Sequence, residues 1–173
     1  MSTTKTPVSK VPLQLGTKNA RTCKDCTKCC EGWLYAEILG QELVPGSPCR
    51  FVETNVGCTI YEEEQRPKNP CDTYQCFWKL SNDVPEKFSP RTQNVILSKQ
   101  SIEGIEYLAA TYAGSHLSSE MFSWFISYGV QNQLNLQWTV EGRPHHVGSI
   151  DFITAMTRIY PEAENIELPR RLP

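Results

Sequence analysis

The chain has 173 residues, a formal net charge of -2 and eight cysteines. That length suits one domain, or a small metal-stapled lobe beside a conventional core, since single domains commonly run to roughly 100–150 residues. The near-neutral charge leaves no uniform basic field to attract a phosphate backbone, so nucleic acid is a poor candidate partner.

Met1 to Ala20 mixes Ser, Thr, Lys and Pro without periodicity and lacks the apolar run of a signal peptide. It reads as a flexible N-terminal leader, residues 1–20. No later stretch approaches the ~20 apolar residues of a membrane span. The expectation is a cytoplasmic protein with no membrane association, and in reducing surroundings clustered cysteines serve metal binding or redox chemistry rather than disulfides.

From Cys23 to Cys76 the chain is rich in turn formers, as in Pro45-Gly46-Ser47-Pro48 and Arg66-Pro67-Lys68-Asn69-Pro70, and it carries all eight cysteines. So few large aliphatic residues cannot offset the entropy of ordering the backbone without a cross-link, which a metal would supply. Residues 21–80 therefore read as a small, irregular, cysteine-rich metal-binding lobe. Residues 81–173 read as a compact lobe of antiparallel hairpins and two helices packed against it, giving an α+β chain.

In that second lobe, Val95-Ile96-Leu97-Ser98 and Ile105-Glu106-Tyr107-Leu108-Ala109 flank the turn Ser101-Ile102-Glu103-Gly104, which predicts a hairpin. Ser118 precedes Met121, Trp124, Phe125 and Tyr128, an apolar stripe at helical spacing with a serine at its N-cap. Leu134, Leu136, Trp138 and Val140 alternate with polar residues and predict a half-buried strand. Glu141-Gly142-Arg143 turns it into a return strand through His145-His146-Val147. A helix from about Ser149 then places Phe152, Ile153, Met156, Ile159 and Tyr160 on one face and stops at Pro161. The tail through Arg170-Arg171-Leu172-Pro173 has no readable pattern.

Two residues separate each of the first three thiols in Cys23-Lys24-Asp25-Cys26-Thr27-Lys28-Cys29-Cys30. That spacing lets the chain fold back so that successive sulfurs reach one metal, and it serves both tetrahedral zinc and iron-sulfur clusters. Neighbouring side chains usually diverge, so Cys29 and Cys30 need not bind the same ion. The ligand candidates are Cys23, Cys26, Cys29, Cys30, Cys49, Cys58, Cys71 and Cys76. They could close two four-sulfur sites, or one cluster with the remaining thiols in a second site, a redox pair or core packing. Arg21, Lys24, Lys28, Arg50 and Arg66 could offset thiolate charge, or be plain solvated surface.

In order along the chain, the opening CxxCxxCC motif is followed by Pro48-Cys49, Gly57-Cys58-Thr59-Ile60-Tyr61, Arg66-Pro67 leading to Cys71, and Cys76. Over roughly residues 23–78 this resembles the YkgJ-type CxxCxxCC family of zinc- or iron-chelating domains. The resemblance implies metal binding, with zinc and iron-sulfur both open, and suggests that Tyr61 and Arg66 support the site. Arg66 would donate to thiolates or backbone carbonyls, and Tyr61 would close the site from water, or else simply pack. In larger relatives such as flagellin lysine methylases the motif accompanies methyl transfer to protein lysines.

Glu62-Glu63-Glu64 reads as a solvated acidic turn, because three consecutive side chains diverge. His145 and His146 point to opposite faces of a strand and read as ordinary strand histidines, with at most one available to a site. No glycine-rich phosphate loop is present. The leading function is a cysteine-ligated metal protein whose site is structural or regulatory, partnered by a metal ion or cluster and open to a protein partner or client. The alternatives are an iron-sulfur redox protein, a small protein-modifying transferase with a pocket beside the aromatic helix, or a metal carrier using the vicinal cysteines.

Overall fold

The computed structural model describes residues 21–23, 26–44, 46–53, 56–114 and 116–168. The leader 1–20, Lys24 and the tail 170–173 lie outside the described residues. The fold is α+β, built on a mixed five-stranded sheet.

The cysteine-rich part has only short elements. After a 3-10 turn over Lys28–Cys30 come strands β1 (Ala36–Ile38) and β2 (Gln41–Leu43), then β3 (Val52–Glu53) and β4 (Gly57–Cys58), each pair antiparallel. Ile38, Leu43 and Cys49 are buried together as a satellite core. Helix α1 (Phe77–Leu80), a 3-10 turn over Glu86–Phe88 and helix α2 (Pro90–Gln93) lead into the sheet.

The sheet runs β5 (Val95–Ile102), β6 (Ile105–Tyr112), β7 (Asn135–Val140), β8 (Arg143–Gly148) and β9 (Glu164–Glu167), in chain order across its width. Both expected hairpins form. The first is tighter than its sequence suggested: the strands pair out to Ile102 and Ile105, leaving only Glu103 and Gly104 in the loop, at φ 49° and 78°. Positive φ at both central residues is the turn that matches strand twist, and Glu141-Gly142 repeats it at φ 50° and 80°. The polar residues Lys99, Gln100 and Ser101 extend β5 as an exposed ladder, and the Gln100 side chain accepts from the Tyr107 hydroxyl at 2.7 Å.

Helix α3 (Ser119–Gln131) joins β6 to the parallel β7, and α4 (Ile150–Ile159) joins β8 to the parallel β9. Ser118 and Ser149 cap them, each side-chain oxygen accepting from a backbone N–H two or three residues into the helix, Met121 and Phe152. Alternation along β7 puts the helices on opposite faces. Trp138 meets Phe122 and Phe125 of α3, whereas His146, paired with the preceding Gln137, meets Phe152 of α4. On α4 the buried stripe is Phe152, Ala155 and Met156; the expected Ile159 is the last helical residue and stays 58 % exposed.

Strand β9 is absent from the sequence reading because all four of its residues are exposed and it shows no alternation. The parallel joins escaped it too, since each partner lies across a helix. The Cys76-Phe77-Trp78 segment enters the main core with Val84, Phe88, Leu97 and Phe125, so the cysteine-rich part and the sheet share apolar packing.

Arg21 fixes the start of the described chain against that segment. Its guanidinium donates to the carbonyl oxygens of Trp78 (2.6 Å), Ser81 (2.8 Å) and Val84 (2.7 Å) and lies 4.6 Å from the centre of the Trp78 ring. Its ion pair with Glu86 adds little, because that carboxylate is largely exposed. Replacing Arg21 by Ala leaves three carbonyls without their donor and should cost about 2–4 kcal/mol in urea unfolding. R21K, which cannot span three acceptors, should recover less than half of that loss.

Candidate metal centre

The first thiols are placed by two successive reversals of the chain. The Cys26 N–H donates to the Cys23 carbonyl at 3.0 Å, and the Cys30 N–H to the Thr27 carbonyl at 2.8 Å. Thr27 is buried, and its hydroxyl and the Lys28 ammonium both bond the Glu31 carboxylate. Burial works against the Glu31 charge, but the hydrogen bonds from Lys28 and Thr27 win and hold its carboxyl below the usual range.

Cys29 and Cys30 then part company. Cys29 packs against the main core, which contains Cys76, while Cys30 packs against the satellite core with Cys49 and Cys71. The approach of Cys49 depends on Gly32. Its φ is 81°, and a Cβ there would lie 2.7 Å from the carbonyl carbon of Ser47 and 2.9 Å from the nitrogen of Pro48. With only hydrogen at that point, the Gly46 N–H donates to the Gly32 carbonyl at 2.9 Å and the Cys49 N–H to the Cys30 carbonyl at 2.8 Å.

Cys58 sits on β4 opposite Val52, which packs on the same satellite core. The loop carrying Cys71 is held by Arg66, whose guanidinium donates to the Cys71 carbonyl at 2.9 Å, pairs with Asp72 at 2.7 Å and lies 4.4 Å from the centre of the Tyr61 ring. Arg66 thus acts through a backbone carbonyl, and Tyr61 packs on Arg66. Near the other thiols, Tyr74 is half-buried against Cys29 and Ser98. Neither Gly32 nor Tyr74 was singled out from sequence, although a glycine just after a Cys-Cys pair is a signal of close backbone approach.

All eight cysteines are free thiols. Burial raises Cys29 well above its ordinary value, with Cys76 and Cys26 the next contributors, and pushes Cys30 up to about 12, with Cys49, Cys58 and Cys71 next. Cys76 is pushed up to about 11 and Cys26 is also raised. At Cys71 burial again raises the value, while the Arg66 charge pulls against it. A thiophilic cation would displace these protons, and the donor set of soft sulfur suits zinc or iron-sulfur chemistry rather than hard ions. Among the described residues, no three Cys, His, Asp or Glu side chains converge into a finished metal site.

The other candidates fall away from the thiols. His145 stacks on Trp138 and lies 3.5 Å from Glu164, while His146 is fully buried on the opposite face, with Nδ1 2.9 Å from Asn165. Glu62, Glu63 and Glu64 are exposed, as an acidic turn should be. Of the basic residues, Lys28 is engaged by Glu31, and Arg50 by the Leu39 carbonyl.

A cavity of about 1050 Å³ opens between the cysteines and the sheet. Its sheet wall includes Gln100, Thr111, Gln137 and Thr139, which by register share the face that α4 covers at Tyr107. The pocket expected beside the aromatic helix is therefore elsewhere: Phe125 is fully buried, and Trp124 stacks on Tyr128 at 5.1 Å.

Two outcomes follow from this geometry. A Cβ at Gly32 meets backbone that cannot rotate away, so G32A should destabilise by more than about 2 kcal/mol and increase the reactivity of Cys49 toward a thiol reagent. Burial lowers the His146 pKa below its ordinary 6.5. The unfolded chain then binds the proton more readily, so stability is full above about pH 6.5 and falls as pH drops below it. Urea midpoints between pH 5 and 7.5 should show this slope, and H146Q should flatten it. No protein-family model matches the chain, and no curated protein or solved structure matches it significantly.

Proposed function

We propose that the chain is a cysteine-ligated metal-binding protein, holding zinc or an iron-sulfur cluster in residues 21–80 in a structural or regulatory role, as the YkgJ-type domains it resembles would. The observation that carries this reading is the gathering of eight unpaired thiols in a part of the chain whose strands are two or three residues long. Such short elements, around a satellite core of three buried residues, leave the backbone order unsupported without a cross-link. Cys23, Cys26, Cys29, Cys30, Cys49, Cys58, Cys71 and Cys76 are the proposed ligands. Closure by four thiolates leaves no open position for a substrate, as in structural zinc sites. The partner is the metal ion or cluster itself, with the exposed faces of the lobe available to a protein client.

The cavity favours a second reading. A chamber with thiols on one wall and glutamine, threonine and tyrosine side chains on the other suits an iron-sulfur redox protein or a small protein-modifying transferase. A metal carrier has less support, since the vicinal pair it would use for exchange packs into two different clusters.

Metal analysis with acid-labile sulfide, on protein prepared anaerobically, tests the reading directly. Stoichiometric zinc, or iron with matching sulfide, is expected. Removal of that metal by a chelator should abolish hydrogen-exchange protection in residues 21–75 while the sheet amides stay protected. Unchanged protection after complete metal removal overturns a structural role.

A further inference from the structure

We propose that the eight thiols form two separate four-thiolate centres, one of Cys23, Cys26, Cys29 and Cys76 and the other of Cys30, Cys49, Cys58 and Cys71. The proposal rests on the metal-binding reading and adds what the CxxCxxCC spacing leaves open, namely how the ligands divide. Spacing alone joins Cys23, Cys26 and Cys29 and leaves the partners of Cys30 open. The fold divides them at the peptide bond between Cys29 and Cys30.

The division is carried by packing. Cys29 lies against the main core and Cys76 is part of it, whereas Cys30 and Cys71 lie against the satellite core that contains Cys49. The hydrogen bond from the Cys49 N–H to the Cys30 carbonyl, made possible by Gly32, holds the backbones of that pair side by side. Cys58 faces Val52 across β3 and β4 and so enters on the satellite side. Cys23 belongs with Cys26 through the turn that their backbone bond closes.

The two centres differ in what they hold. The first is tied to the sheet, because Cys76 caps α1 and leads directly into the buried Phe77 and Trp78. The second joins the turn carrying Cys30, the segment carrying Cys49, strand β4 and the Arg66 loop to one another. Loading each with one Zn2+ displaces the four thiol protons and leaves a formal charge of -2; at the second centre the Arg66 guanidinium, bonded to the Cys71 carbonyl, lies nearby.

The test counts Zn2+ ions that resist a competing chelator, in the full chain. The parent should hold two. C30A/C58A, which removes two ligands from the second centre only, should keep one at parent affinity with little change in the unfolding of the sheet. C30A/C76A takes one ligand from each centre and should keep none; C23A/C30A makes the same test away from the main core, should C76A prevent folding. One resistant ion in C23A/C30A, or none in C30A/C58A, overturns the division. A parent that holds a single ion overturns the two-centre proposal and leaves metal binding intact, whereas a parent that holds no zinc, iron or sulfide overturns both.

Discussion

Burial of Cys76, Phe77 and Trp78 is the join to which the remaining cysteine-rich structure is referred. Phe77 and Trp78 are 2 % and 7 % exposed, and burying two such side chains contributes about 1.5–3 kcal/mol each. Arg21 reaches the same segment from the other end of the lobe, through the Trp78 carbonyl and over its ring. The intervening chain is therefore a closed loop even before any metal is considered. Closing its ends in this way removes part of the conformational freedom that the short strands could not oppose alone.

That closure also explains why Cys49 and Cys76 are buried, and the other thiols partly so, while so little regular structure surrounds them. The loop has to lie back over the sheet, and it does so leaving a chamber whose floor is the uncovered half of the α4 face. Phe152 covers one part of that face, at Tyr107 and His146. Thr111, Gln137 and Thr139 take up the rest, and they are the polar alternates of the same strands that bury Leu108, Leu136 and Trp138 on the other side. One alternation pattern thus builds both the core and the wall of the chamber.

Much of the sheet lobe was legible because its signals are local. Ser118 and Ser149 announce their helices by side chains that bond nearby amides, and the alternation from Leu134 to Val140 marks a strand with one buried face. What was not legible depends on distant partners. The parallel pairing of β6 with β7 requires the helix between them to be laid across one face first. Ile159 shares the helical period of Met156 yet ends outside the core, because burial depends on what lies opposite and not on spacing alone. For the cysteines, the sequence order showed which residues are candidates, and the separation of Cys29 from Cys30 was foreseeable from backbone geometry. The company each keeps was not, since Cys49 reaches Cys30 through a contact at Gly32 that only the folded backbone reveals.

The outermost strand, β9, has a bearing on how copies of the chain meet one another. Among the described residues no strand pairs with its edge opposite β8, it carries an exposed Ile166, and an unpaired edge invites strand addition from a second molecule. Glu164 and Glu167 stand at its two ends. Antiparallel addition of an identical strand would bring each glutamate against its counterpart, so near neutral pH the charges that hid this strand from a hydrophobicity pattern are also what discourages the protein from polymerising through it.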